Sequence, residues 1–241
     1  MSANPLHQFE IKKFVPIDIG NIDIGFTNAS LFMVLAALIG LVILWLSIRK
    51  QLLIPNAGQS IGEAIFGFIR NTARDSIGEG YEKYMPFIFT IFTLVFLGNF
   101  LGLFPYSFTF TSQLAPVGVF ALLGMVVSIV VGLKTQGFKW FRTFFPAGVP
   151  LFMAPIIIPI EVFSFLSKPF SLTMRLVMNM IVGHLMMKVF AGLVYTSGLV
   201  GVIPLIAIGG LILFEMFIAF LQAYIFTILT SIYIGEAAHA H

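Results

Sequence analysis

Long apolar segments alternate along this chain with short segments rich in charged residues, glycine or proline. The first apolar segment is about 21 residues long, which suits a helix crossing a ~30 Å hydrocarbon layer, and Arg49-Lys50 end it. The last part of the chain holds two longer apolar blocks that meet at a turn-like segment, residues 196–201. The pattern predicts one membrane domain over residues 1–241, divided into an outer-side N-terminal segment (1–26), a first span (27–48), an amphipathic segment (59–82), a helical hairpin (86–133) and a long two-helix hairpin (148–236).

The segment at 59–82 differs from the apolar spans. Ser60 and Glu63 have the spacing of a capping box, which marks a helix start. One helical face is apolar, formed by Ile61, Ile65, Phe68 and Ile69. Arg70 and Arg74 lie off that face, so we expect an amphipathic helix along the membrane interface. A solvated loop with incidental apolar residues is the alternative.

A shorter pattern precedes the first span. The sequence VPIDIGNIDIGF, residues 15–26, alternates apolar and polar residues with a period of two. That period is typical of an extended strand. It predicts a short hairpin at the surface.

Composition narrows the class of protein. Of 241 residues, 59% are hydrophobic and 10% are charged, and the mean hydropathy is +1.03. A soluble domain has about 25% charged residues, so this chain is expected to be an all-α polytopic membrane protein. It has no cysteine and no HExxH, GxGxxG or GxxxxGK[ST] motif, and its net charge is only +3. We therefore expect no metal, no cofactor, no nucleic-acid partner and no autonomous enzyme activity.

The loop charges predict an orientation. Basic residues concentrate in segments 49–84 and 134–142, whereas the turns at 105–114 and 196–204 carry no charge. Positively charged loops favour the cytoplasmic side of a membrane. The prediction is five passes, with the N-terminus outside and the C-terminus inside.

Polar residues in the last two blocks are candidates for function. Glu161, Lys168 and Arg175 are spaced by seven residues, so they share one helical face, and Ser164, Ser171 and Asn179 fall on the same stripe. A polar stripe in a membrane helix faces protein or water. An arginine at mid-bilayer costs roughly 2.5–3.5 kcal/mol on insertion scales, which argues against an incidental role for Arg175.

The hairpin also predicts which residues lie at the same depth. With a turn near residue 199, His184 is level with Glu215 toward the outer side, and Arg175 is level with Gln222 deeper in. Glu161, Ser164 and Lys168 lie toward the inner side. The result is a polar path that is broken at a positive charge.

Structural explanations compete for several of these residues. Asn179 and Gln222 have side chains that commonly join membrane helices by hydrogen bonds. Lys168 could extend its amine to the interface, and His184 could be a satisfied core residue. At the level of the whole chain, Arg175 could bind an anionic substrate in a secondary transporter, which predicts an inverted repeat that the sequence lacks. A purely structural scaffold is the remaining alternative.

The sequence LSKPFSLTMRLVMNMIVGH (166–184), followed by FEMFIAFLQAYIFTILTSIYI (214–234), resembles the a subunit of the F-type ATP synthase membrane sector. The resemblance is strongest from Glu161 to Tyr233, and the five-pass topology also agrees with it. It implies two long, strongly tilted helices packed along a ring of c subunits. It further implies b-type peripheral stalk subunits and the rest of the ATP synthase as partners, in a bacterial inner membrane or, alternatively, a mitochondrial one.

The resemblance also assigns roles. Arg175 matches the family's essential arginine facing the ring, and Asn179 and Gln222 match its polar neighbours. His184, Glu215 and Asn99 would line an outer half-channel, and Glu161, Ser164 and Lys168 an inner one. Many bacterial members carry the acid first and the histidine second, whereas here His184 precedes Glu215. The exchange keeps one acid and one imidazole, so proton transfer is still expected.

Overall fold

Six α-helices and four very short strands make up the regular structure of the residues that the computed structural model describes. Those residues are 11–15, 18–19, 22–23, 25–49, 57–104, 107–145, 151–196 and 201–239. Five of the helices are long and apolar enough to cross a membrane, which confirms the predicted all-α polytopic fold. Residues 197–200 of the predicted turn (196–201) and Lys50 lie outside the described residues, and the N-out orientation remains a prediction.

The N-terminal strands form two antiparallel pairs. β1 (Lys13–Val15) pairs with β4 (Phe26–Thr27), and β2 (Asp18–Ile19) pairs with β3 (Ile22–Asp23). This agrees with the hairpin predicted from the alternating sequence. The backbone N–H of Asn28 donates to the carbonyl oxygen of Lys12 at 3.0 Å, which ties the paired strands to the start of the first helix.

The first two helices differ in the faces they bury. α1 (Asn28–Arg49) is apolar on most sides and leaves Leu38, Leu41 and other large side chains exposed, as expected for contact with lipid. α2 (Ala57–Ile77) is amphipathic as predicted and is not one of the candidate spans. Its buried side chains Ile69, Ala73 and Ile77 belong to the main hydrophobic core.

The predicted start of α2 is wrong. Ser60 lies inside the helix, which begins at Ala57, so Ser60 is not an N-cap. Glu63 instead accepts a hydrogen bond from the side chain of Gln59 at 2.8 Å. Residues three or four positions apart are neighbours throughout a helix, so the Ser-x-x-Glu spacing fits an interior turn as well as a cap.

The central hairpin is formed by α3 (Met85–Gly102) and α4 (Leu114–Gln136). A 3₁₀ turn at Tyr81–Lys83 precedes α3, and a longer one at Gly137–Phe144 follows α4. Between α3 and α4, residues 108–112 are all buried among the helices. The uncharged turn therefore contributes to the interior of the bundle as well as connecting two helices.

The chain ends in a long helical pair, α5 (Ala154–Thr196) and α6 (Val202–His239). At 1.5 Å per residue these helices measure about 65 and 57 Å, roughly twice the ~30 Å hydrocarbon layer. Helices of this length must tilt strongly to stay within a bilayer. α6 packs against α2, α3, α4 and α5, so it lies at the centre of the bundle. α5 leaves large apolar side chains exposed, among them Phe163, Phe170 and Met178.

The contact between α6 and α2 yields a prediction about stability. A Cβ atom at Gly235 would overlap the backbone carbonyl oxygen of Ser76, and backbone cannot rotate away as a side chain can. We expect Gly235→Ala to destabilise the chain by about 1–3 kcal/mol, the usual cost of overpacking. Thermal unfolding of the detergent-solubilised chain measures the effect.

Gly67→Ala on α2 is the matched control, because a Cβ there meets no atom within 4 Å. We expect that variant to unfold at or slightly above the wild-type temperature, since alanine favours a helix over glycine. An equal fall in unfolding temperature in Gly235→Ala and Gly67→Ala would contradict the close contact between α6 and α2.

Candidate functional site

Arg175 lies on the outer face of the long helical pair. It is exposed, although its neighbours Leu176 and Val177 are buried in the core. Within the described part of the chain, its guanidinium makes no hydrogen bond or ion pair with another side chain. It is close enough to Tyr233 of α6 for an electrostatic interaction. A permanent cation is therefore presented beside an apolar surface that includes Met178, which is 52% exposed.

His184 and Glu215 meet between α5 and α6, as the hairpin count predicts. His184 Nε2 lies 3.9 Å from Glu215 Oε1, and both side chains are largely buried. The Glu215 carboxylate also packs against Gly183, where an added Cβ would come within 2.6 Å of Oε1. Neither carboxylate oxygen has a hydrogen-bond partner among the described residues. Such a group is suited to binding a proton, because a buried carboxylate without donors is unfavourable.

The buried turn between α3 and α4 reaches the same place. Thr109 Oγ1 lies 3.0 Å from His184 Nε2, at hydrogen-bonding distance. Local sequence pattern does not predict this contact, because the two residues are 75 positions apart. Absence of charge in the turn was the only signal, and it marked the turn as unusual without identifying a partner.

Asn99 of α3 is fully buried, and it contacts α6 between the positions of Glu215 and Gln222. Its Nδ2 donates to the carbonyl oxygen of Ala219 at 3.3 Å, one helical turn from Glu215. Its Oδ1 has no partner among the described residues. Asn99 therefore lies near the His184–Glu215 pair.

Gln222 bonds to Asn179, which lies one turn from Arg175 on α5. Asn179 Nδ2 donates to Gln222 Oε1 at 3.2 Å. The depth of Gln222 relative to Arg175 stays a prediction, and the two polar neighbours that the resemblance assigns to Arg175 are joined to each other.

The predicted inner residues are separate from the His184 group. Lys168 Nζ lies 3.4 Å from Glu236 Oε2 and 5.0 Å from the centre of the Tyr233 ring. Lys168 thus pairs with α6 through side chains that are 35% and 57% exposed, a contact that is also compatible with an amine extended to the interface. Glu161 is half-buried, and Ser164 is exposed, with its carbonyl accepting the Ser167 hydroxyl at 2.7 Å.

Two further charged residues belong to these groups and were missed. Glu236 follows the last apolar residues of α6, so by pattern alone it marks only the end of the apolar segment. Lys188 lies one turn after His184 on α5, is partly buried, and interacts electrostatically with it. The four-residue spacing between His184 and Lys188 was the available signal, since residues i and i+4 are neighbours on a helix.

The arrangement defines a polytopic membrane protein whose last two helices carry one largely buried polar group and one more exposed polar group, with an exposed arginine between them. The described residues contain no group of three or more acidic or histidine side chains that could hold a metal ion. A sequence profile of the ATP synthase A chain matches residues 30–235. The chain belongs to that family.

Bacterial relatives extend the match over nearly the whole chain. ATP synthase subunit a of Rhodospirillum rubrum is 46% identical over 239 residues, covering 99% of both chains. ATP synthase subunit a 1 of Brucella anthropi is 41% identical over 246 residues, again covering 99% of each. ATP synthase subunit a of Rhizobium leguminosarum bv. trifolii is 42% identical, covering 99% of this chain and 98% of its own.

Proposed function

We propose that this chain is the stator subunit that conducts protons in the membrane sector of an F-type ATP synthase. The observation that carries the proposal is the exposed position of Arg175 between two polar groups that do not meet. Its family membership supports the same function, because the relatives are named as subunits of an ATP synthase. Protons pass through two offset half-channels. The half-channels are connected only by way of a moving ring of c subunits.

The outer half-channel is formed around His184, Glu215 and Asn99. Imidazole exchanges protons near neutral pH, and a neighbouring carboxyl group can accept and return them. Thr109 holds His184 from the turn between α3 and α4, where their side chains lie 3.0 Å apart. Asn179 and Gln222 continue the polar surface toward Arg175, joined by their 3.2 Å hydrogen bond.

The inner half-channel is formed around Glu161, Ser164 and Lys168. The pairing of Lys168 with Glu236 adds a second carboxylate to this group. Protons released from the ring would leave by this route. The inner half-channel ends before it reaches His184, and Arg175 lies between the two half-channels.

Arg175 separates the two routes electrostatically. A guanidinium stays protonated in proteins, so it favours the ionised form of a passing ring carboxylate and opposes direct proton transfer between the half-channels. Each proton then turns the ring and releases about 2.3 kcal/mol per 100 mV of membrane potential. Several protons are needed for each ATP, which is made elsewhere in the complex by other subunits.

The proposal also defines partners and location. The chain itself is not catalytic and binds no nucleotide. It contacts the c ring through the open side of α5 and α6, and b-type stalk subunits hold it against rotation. Bacterial relatives favour the bacterial inner membrane as its location.

A cross-linking experiment tests the position of the ring, because the chain contains no cysteine of its own. We expect Met178→Cys, beside Arg175, to form a disulfide with a cysteine placed next to the ring carboxylate. Leu38→Cys on α1 is the matched control, because Met178 and Leu38 are 52% and 53% exposed. Cross-linking from Leu38 alone would show that the ring does not face Arg175.

The contact between Thr109 and His184 gives a separate prediction. Thr109→Val keeps the shape and removes the hydroxyl, so the rate of proton-driven ATP synthesis should fall about fivefold, corresponding to one hydrogen bond of about 1 kcal/mol. Thr72→Val is the control, because its hydroxyl bonds only to its own helix, at the carbonyl of Phe68. Equal rates of ATP synthesis in Thr109→Val and Thr72→Val would show that the Thr109 hydroxyl does not contribute to proton transfer.

A further inference from the structure

A cleft lies where α1, α2 and α3 meet, away from the residues assigned to proton transfer. Its volume is about 570 Å³, within the range of pockets that bind small ligands. Leu44 near the end of α1 and Phe89 near the start of α3 both line it, so it lies at one end of two membrane spans. Lipid headgroups are found at that level of a bilayer.

The walls of the cleft are apolar. Leu44, Phe66 and Phe89 contribute to them, and the rings of Phe66 and Phe89 are 6.0 Å apart. Phe66 belongs to the amphipathic helix α2, and its side chain is 45% exposed. These side chains would bury favourably against a hydrocarbon chain.

The cleft also has a polar edge of three side chains. Arg70 Nε donates a hydrogen bond to Tyr81 Oη at 3.0 Å, and Glu82 lines the same cleft. The hydrogen bond to Tyr81, aided by the charge of Glu82, raises the pKa of Arg70 above its ordinary value. An arginine guanidinium is in any case charged in proteins. The bond uses one of the five N–H groups of arginine, and the others suit a phosphate.

We infer that the cleft binds one phospholipid with a zwitterionic phosphoethanolamine headgroup. Arg70 binds the phosphate, Glu82 binds the ammonium group, and an acyl chain lies along Leu44, Phe66 and Phe89. A purely anionic headgroup would place a negative charge near Glu82 without a partner for that carboxylate. A phosphocholine headgroup carries no N–H donor, so it would lose the hydrogen bond to Glu82.

Photo-cross-linking in reconstituted vesicles tests the inference. The complete assembly containing the full-length chain is placed in vesicles with trace phosphatidylethanolamine, phosphatidylcholine or phosphatidylglycerol, each carrying a photoreactive group on an acyl chain. Mass spectrometry then locates adducts on α2 and α3. We expect adducts near Phe66 and Phe89 to be most abundant with phosphatidylethanolamine.

Variants at the polar edge identify the contacts. Arg70→Gln should reduce phosphatidylethanolamine adducts about fivefold, because it removes a charged hydrogen-bond donor to the phosphate. Glu82→Gln should reduce the preference for phosphatidylethanolamine over phosphatidylcholine. Arg74→Gln is the matched control, since Arg74 lies one turn further along α2, is exposed, and does not line the cleft.

Several results would overturn the inference. Adducts that are strongest with phosphatidylglycerol would indicate a site for anionic lipid. Equal losses of phosphatidylethanolamine adducts in Arg70→Gln and Arg74→Gln would indicate that general surface charge, and not a specific contact of Arg70, attracts the lipid. Absence of adducts in the cleft with all three lipids would indicate that another protein segment covers it. None of these readouts depends on ATP synthesis, so they are independent of the proposed proton route.

Discussion

Arg175→Ala is expected to abolish proton-driven ATP synthesis while the complex still assembles. Arg175 is exposed on the outer face of α5, so its removal leaves the buried packing of Leu176 and Val177 intact. Without the cation, a ring carboxylate is no longer favoured in its ionised form, and the two half-channels lose the charge that separates them. ATP synthesis by energised vesicles is the measurement, with assembly checked by the subunit content of the purified complex.

Arg74→Ala provides the matched control for this loss. Arg74 is also an exposed arginine on a helix, but it lies on α2 and outside both polar groups. We expect its synthesis rate to equal that of the wild type. Retained synthesis in Arg175→Ala would refute the assigned role, and a failure to assemble would assign Arg175 to structure instead.

Exchanging the two residues of the buried pair is expected to preserve more activity than changing either alone. His184→Glu places two carboxyl groups in one buried site, and Glu215→His places two imidazoles there. Like charges in such a site oppose each other and disturb both protonation equilibria. The double variant restores one acid and one imidazole at the observed 3.9 Å separation. Rates of ATP synthesis in the three variants, compared at equal assembly, give the result.

The comparison separates a functional pair from two independent residues. If His184 and Glu215 act independently, the losses of the two single changes should add in the double variant. If they act together, the double variant should lose less than that sum. A double variant whose loss equals the sum of the two single losses would contradict the pairing. Gly183 must stay unchanged, because the Glu215 carboxylate packs against it.

The helices and part of the site were predictable because they depend on local pattern. Apolar length identified α1 and the α3–α4 hairpin, and a count from the turn placed His184 opposite Glu215. Periodicity acts within a single element, so it could predict which residues share a face. A count of residues from the turn could also predict partners across a hairpin close to that turn.

The remaining contacts depend on tertiary geometry. Thr109 reaches His184 from another hairpin, and no periodicity relates the two positions. Gln222 bonds to Asn179 across the helical pair, and no local pattern identifies which of the polar residues on α5 it meets. Glu236 contacts Lys168 from the far end of α6, 68 positions away in the sequence.

The central place of α6 has a consequence for how the protein is made. The four helices that pack against α6 all precede it in the chain. Until α6 has been synthesised and inserted, those earlier helices lie in the membrane without their common partner. The bundle therefore reaches its final arrangement only after α6 is in place, and a chain terminated before α6 would be left as a substrate for membrane proteases.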